Sequence, residues 1–158
     1  MTQVKDVMTR KVVTISRNAS VNETIDLLLK QNVSGVPVVD AFGAVVGIIS
    51  EFRLLQAISD PLLKYSAVSD LMTRDVVTVC EDTPLHIAAN LMILHRVRRL
   101  PVLRDGRLIG VISRPDLIRH SLNTPLAEQL IHVGKACAVV SPAGARKPSD
   151  ATRAAVRS

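Results

Sequence analysis

The stretch Asp6-Val-Met-Thr-Arg-Lys-Val-Val-Thr14 is written a second time in this chain as Asp70-Leu-Met-Thr-Arg-Asp-Val-Val-Thr78, an offset of 64 residues. Further along, Gly35-Val-Pro-Val-Val39 is answered by Arg99-Leu-Pro-Val-Leu103, with Pro37 and Pro101 again 64 residues apart. Gly47-Ile-Ile-Ser50 and Gly110-Val-Ile-Ser113 are offset by 63, so one residue is lost in the turn before them, where deletions are tolerated. Three phrases in one register define an internal repeat. A unit of roughly 60 residues is marginal alone, so the two copies are expected to share one core.

Within the first copy, Ser20-Val-Asn-Glu23 forms a capping box ahead of Ile25, Leu28 and Leu29, which predicts a helix over 21–31. The second copy has Asp82-Thr83-Pro84-Leu85 there, with proline in the first turn and Ala88, Leu91 and Met92 following. Apolar runs at 36–39 and 45–49, separated by Gly43, predict two strands; 100–103 and 108–112 around Gly106 repeat the pattern. Short helices are expected at 51–58 and 114–120. The unit is strand, helix, strand, strand, helix, an α/β fold of the α+β type. Repeat 1 takes 4–60, a linker 61–67 and repeat 2 68–121. Thr124-Pro125 is expected to start a C-terminal helix within 122–138, and 139–158 is expected to be a structureless basic tail.

The function classes narrow from composition. Phe42, Phe52 and Tyr65 are the aromatic residues, too few for a stacking platform for single-stranded nucleic acid. The N-terminus Met1-Thr-Gln-Val-Lys-Asp6 has no apolar core of a secretory signal, and no apolar run reaches the ~18 residues that span a bilayer. Cys80 and Cys137 make neither a metal-ligand spacing nor a disulfide framework, so a soluble protein of the reducing cytoplasm is expected. His86, His95, His120 and His132 show no metal-binding spacing and no serine sits in a nucleophile elbow, so no catalytic residue, metal or cofactor is assigned and the chain is not expected to be an enzyme.

Residues 1–70 hold seven Lys/Arg and seven Asp/Glu, and residues 71–158 hold 13 and seven, so the whole net charge of +6 belongs to the second part. Arg96, Arg98, Arg99, Arg104, Arg107, Arg114 and Arg119 crowd one stretch. Such a cluster fits either a solvated surface or an anionic partner.

Val-Met-Thr, Val-Pro-Val and Gly-Ile-Ile-Ser, in order and in both copies, make residues 4–120 resemble a tandem pair of CBS domains, a Bateman module. The resemblance implies two units packed sheet to sheet about a pseudo-twofold axis, assembled as a homodimer. It also implies a regulatory signal-transduction role: sensing an adenosine compound such as AMP, ADP, ATP or S-adenosylmethionine between the repeats, and passing occupancy to a separate target protein. The family's aspartate after Gly-apolar-apolar-Ser/Thr-x-x, which accepts the ribose hydroxyls, falls on Asp116. The first copy reads Gly47-Ile-Ile-Ser-Glu-Phe-Arg53, and a guanidinium has five donors and no acceptor.

By the same resemblance the Asp116 cleft draws on Thr14, Val33, Ser34, Gly35, Pro37, Ile112 and Ser113, the apolar groups flanking adenine and the hydroxyls meeting phosphate or ribose. The opposite cleft, with Ser50, Arg53, Thr78, Val97, Arg98, Arg99 and Pro101, is strongly cationic. Ser113-x-x-Asp116 also fits a capping box for the last helix, and Arg53 opposes the dipole of its own helix. The alternative reading is an interaction or nucleic-acid-binding protein that uses the basic surface of repeat 2, its clefts vestigial.

Overall fold

The computed structural model describes residues 1–123 and 138–142. The first half runs α1 (Val4–Val7), β1 (Ile15–Ser16), α2 (Val21–Gln31), β2 (Gly35–Val39), β3 (Val45–Ser50) and α3 (Glu51–Ser59). The second repeats that order as α4 (Val68–Leu71), β4 (Asp75–Cys80), α5 (Leu85–Leu94), β5 (Arg99–Arg104), β6 (Arg107–Ser113) and α6 (Arg114–Asn123), and β7 (Ala138–Pro142) follows.

Local chemistry sets these elements. At α2 the Ser20 hydroxyl accepts from the Glu23 N–H at 3.2 Å while the Glu23 carboxylate accepts from the Ser20 N–H at 2.7 Å. The helix stops at Asn32, whose φ of 50° is left-handed. Pro84 is the N-cap of α5 and so lies just outside the first turn where it was expected. β2 pairs antiparallel with β3, Gly35 opposite Ser50; β5 pairs likewise with β6, Arg99 opposite Ser113. The one-residue difference between the copies lies in the connecting turns. Asp40 organises the longer one by accepting from the N–H groups of Phe42 and Ala44, both at 2.9 Å. Asp105 and Gly106, at φ 51° and 78°, make the tighter one.

The two repeats trade their opening segments. Val4 and Lys5 donate their N–H groups to the carbonyls of Thr83 and Glu81 at 2.8 and 2.9 Å, and Thr9 pairs with Val111. Reciprocally, Val68 and Ser69 donate to Ala19 and Arg17, both at 2.9 Å, and Thr73 pairs with Ile48. Two apolar clusters result. One joins Val36, Val38, Ile49 and Leu54 to Val68, Leu71 and Met72; the other joins Leu100, Val102, Ile112 and Met92 to Val4 and Met8. The expected single core is therefore corrected to two, each completed by a segment of the other repeat.

The C-terminal expectations are revised in part. α6 runs on to Asn123, past the expected end at 120. The C-terminal helix expected within 122–138 falls mostly on 124–137, outside the described residues. Ala138, expected to end that helix, and residues 139–142, expected to begin the structureless tail, instead form a strand antiparallel to β4, from Val79 opposite Ala138 to Asp75 opposite Pro142. Val139 and Val140 suit a strand, and β4 offers an edge. With that partner β4 extends to six residues, where its counterpart β1 has two.

Candidate functional site

Asp116 is the third residue of α6, which begins directly where β6 ends at Ser113. Its Oδ2 accepts from the Ser113 N–H at 2.9 Å and from the Ser113 hydroxyl at 2.5 Å, while Oδ1 lies 3.5 Å from an Arg119 guanidinium nitrogen. The capping role weighed from the sequence is thus present. It does not exhaust the carboxylate, which has about four lone-pair positions, and the side chain keeps 13% of its surface exposed. Asp116 opens on a recess of about 220 Å³ shared with Asp6 and Val7 of α1 and with Arg119, His120 and Asn123. His120 Nε2 is buried there without a hydrogen-bond partner, a feature the sequence did not mark.

The other residues expected beside Asp116 do not line that recess. Thr14 is half-buried ahead of β1, Val33 packs against the first apolar cluster, and Gly35 and Pro37 are buried in β2. Ile112 is wholly buried and its side chain belongs to the second cluster. Ser34 lines a different and larger cavity of about 770 Å³, formed by α2, α3, β4 and the α5–β5 loop.

That larger cavity collects most of the cationic set. Ser50, Val97, Arg98 and Arg99 line it; Thr78 and Pro101 are buried in their strands and do not. Arg53 does not reach it either. It is exposed on α3, its guanidinium 3.5 Å from Gln56 Oε1, and where Asp116 stands in the other repeat it provides no acceptor.

Two further features were missed. Arg99 crosses between the repeats: one terminal guanidinium nitrogen donates to the Gly35 carbonyl and the other to the Ser34 hydroxyl. Gly35 leaves it room, since a Cβ there would lie 3.3 Å from Arg99 Nη1 and 2.7 Å from the Ile49 carbonyl. Burial pushes the Arg99 pKa down and the charge of Arg98 adds to that, with Glu51 acting oppositely. Arg96, also on the cavity wall, is held at φ 55°, which its counterpart Asn32 tolerates better. The offset of 64 residues was the signal that pairs Arg96 with Asn32 and Arg99 with Gly35.

A reciprocal pair of strand-helix-strand-strand-helix units with Gly-apolar-apolar-Ser at each final turn is matched by the CBS domain family model over residues 4–60 and again over 68–123. This chain belongs to the CBS-domain family. It is 33% identical over 116 residues to the uncharacterized protein MJ1225 of Methanocaldococcus jannaschii, covering 73% of this chain and 41% of that one. The solved CBS domain pair of protein MJ0100, in complex with 5′-methylthioadenosine and S-adenosyl-L-methionine, superposes with a TM-score of 0.71 at 31% identity, covering 77% of this chain and 97% of that one. CBSX2 in complex with AMP gives 0.69 at 35% identity, covering 77% and 96%.

The CBS pair spans well under half of the first curated relatives. It covers 24% of a homoserine O-acetyltransferase from Methanococcoides burtonii and 22% of an inosine-5′-monophosphate dehydrogenase from M. jannaschii. Among the described residues, no helix is long and apolar enough to cross a membrane, and no group of three His, Cys, Asp or Glu is arranged to hold a metal.

Proposed function

We propose that this CBS pair is a regulatory module that binds an adenosine-containing ligand of the AMP, ADP, ATP or S-adenosylmethionine class and passes its occupancy to a separate cytoplasmic protein. The observation that carries this reading is the likeness, at 31% and 35% identity, to CBS pairs solved with such ligands. Asp116 supports it from this chain: its carboxylate is already oriented by Ser113 and retains acceptor capacity for two ribose hydroxyls. Ser113 adds a hydroxyl beside Asp116, whereas Thr14, Val33, Ser34, Gly35, Pro37 and Ile112, which the resemblance also assigns to the cleft, lie off the recess on which Asp116 opens.

Ligand held by both repeats stabilises one mutual arrangement of the two clusters over others, which is how binding energy becomes a signal. The readout surface in this reading is a homodimer interface. Leu29, Leu55, Ile93 and Ile118 are all more than 60% exposed and occupy equivalent places in the two repeats. Apolar side chains so displayed in matched pairs suit a symmetric contact.

A thermal-shift series with AMP, ADP, ATP, S-adenosylmethionine and GMP, run alongside Asp116→Ala, tests the reading. A ligand at a hundred times its Kd adds about 2.7 kcal/mol, seen as a Tm several degrees higher. A shift with an adenosine compound that Asp116→Ala abolishes supports the sensor. The absence of any shift, together with steeply salt-dependent binding of DNA or RNA, replaces it with the basic-surface alternative.

A further inference from the structure

Lys11-Val-Val-Thr14 and Asp75-Val-Val-Thr78 are the same phrase in the two repeats, yet only one of them has a strand beside it. In each repeat the first strand pairs with the middle one through two residues: Ile15 and Ser16 opposite Val38 and Val39, Val79 and Cys80 opposite Val102 and Leu103. The four residues ahead of those pairs do not join the middle strand. In repeat 2 they take β7 as an antiparallel partner, from Asp75 opposite Pro142 to Thr78 opposite Val139. In repeat 1 the sheet ends at β1, and among the described residues Lys11, Val12, Val13 and Thr14 have no backbone hydrogen-bond partner.

Exposure follows the same division. Val76, Val77 and Thr78 are 4%, 6% and 8% exposed. Val12, Val13 and Thr14 are only half-buried and Lys11 is exposed, although Val13 packs against the first apolar cluster. A Val-Val-Thr run anchored on a core, with its N–H and C=O groups unpaired, is a sheet edge able to accept an extended strand.

Charge separates the two edges. The edge in repeat 2 opens with Arg74-Asp75, and the strand it takes is followed in sequence by Arg146 and Lys147. The edge in repeat 1 opens with Arg10-Lys11. Arg10 donates to the Lys5 carbonyl at 3.1 Å, a neutral acceptor, and neither Arg10 nor Lys11 enters any of the ion pairs among the described residues. Opposite charges across a strand pair stabilise it and like charges do the reverse, so this edge favours an acidic strand and disfavours the basic-flanked β7 of a second copy.

We propose that Lys11–Thr14 is a docking edge for an extended strand of another protein, running antiparallel, with β-branched residues opposite Val12, Val13 and Thr14 and acidic residues opposite Lys11 and Arg10. Main-chain hydrogen bonds supply the affinity, and the acidic residues select the partner. That the docked protein is the one informed of ligand occupancy rests on the functional reading above; the edge itself does not.

The test uses no adenosine compound, so its outcome is independent of the thermal-shift series. The isotope-labelled full chain is titrated with the peptide acetyl-Ala-Val-Val-Thr-Glu-Glu-amide while the backbone amide resonances are followed. The amides of residues 11–14 are expected to shift, Lys11→Glu to raise the Kd at least about threefold, and methylation of the peptide's valine nitrogens to abolish binding. Circular dichroism and urea midpoints establish that the variant is folded.

No binding at millimolar peptide, shifts confined to other residues, or a Kd that neither Lys11→Glu nor methylation changes overturns the proposal. Equal or tighter binding of a peptide with the sequence of residues 138–147 overturns the choice of partner and makes the occupant a second copy of this chain.

Discussion

The thioether sulfur of Met8 lies 2.6 Å from where a Cβ on Gly110 would stand, and Met72 crowds Gly47 in the same way from the other repeat. The two sequence phrases that announced the repeat, Met-Thr and Gly-apolar-apolar-Ser, are thus the two halves of one contact, each made between repeats. Alanine at either glycine forces the methionine and the neighbouring Thr9 or Thr73 carbonyl to give way. Gly110→Ala and Gly47→Ala should each destabilise by about 1–3 kcal/mol, read from urea midpoints at constant m. Combining Gly110→Ala with Met8→Ala should give less than the sum of the two single effects.

Met8→Ala and Met72→Ala should each cost about 2–5 kcal/mol, but in opposite halves from those their sequence positions suggest. Hydrogen exchange locates the damage. Met8→Ala is expected to loosen Val102 and Ile112 before Val38 and Ile49, and Met72→Ala the reverse, because each methionine sits in the other repeat's cluster.

Arg96→Asn should stabilise the fold by a few tenths to about 1 kcal/mol, since asparagine accepts the left-handed backbone that arginine resists. A urea midpoint that does not rise would mean that Arg96 makes compensating interactions.

Acid should destabilise the protein through two identified carboxylates. The hydrogen bond from Arg104 holds Glu81 below its ordinary 4.5, and the Ser20 N–H and hydroxyl do the same for Glu23. A carboxylate with a depressed folded pKa contributes stability that is complete above the unfolded value and is lost as pH falls through the folded one. Stability should therefore decline below about pH 4.5, and the Glu23→Gln, Glu81→Gln double variant should show a shallower decline in chemical denaturation at stepped pH.

Leu55→Glu together with Ile118→Glu should convert a dimer to a monomer by light scattering, without moving the circular dichroism spectrum, if the matched exposed residues form the proposed interface. A wild-type protein that is monomeric at high concentration removes the dimer from the functional reading.

Much of this architecture was legible because the chain states it twice. The capping box at Ser20 and Glu23, the apolar strand runs and the turn glycines are local signals, and α2 begins and ends where they place it. Segment exchange was not legible: Val4 and Val68 look like ordinary apolar residues ahead of a turn, and their burial in the opposite repeat is decided by long-range packing. β7 escaped for a similar reason, since its four short residues and a proline carry little signal until the edge of β4 is known. At the site, the contrast between Asp116 and Arg53 could be read directly from the repeat. The reach of Arg99 to Ser34 could not, because it depends on where two β-strands meet.

The traded opening segments also set an order of events during synthesis. The first cluster needs Val68, Leu71 and Met72, so it is complete soon after those residues emerge. The second needs Val4 and Met8 and also Ile112, which are 108 and 104 residues apart in the chain. At 5–20 residues per second, the N-terminal segment waits roughly 5–20 s outside the ribosome for the surface it will cover. Through that interval Val4 and Met8 are exposed apolar groups in a half-made protein, and the charged Lys5 and Asp6 between them help keep that segment in water.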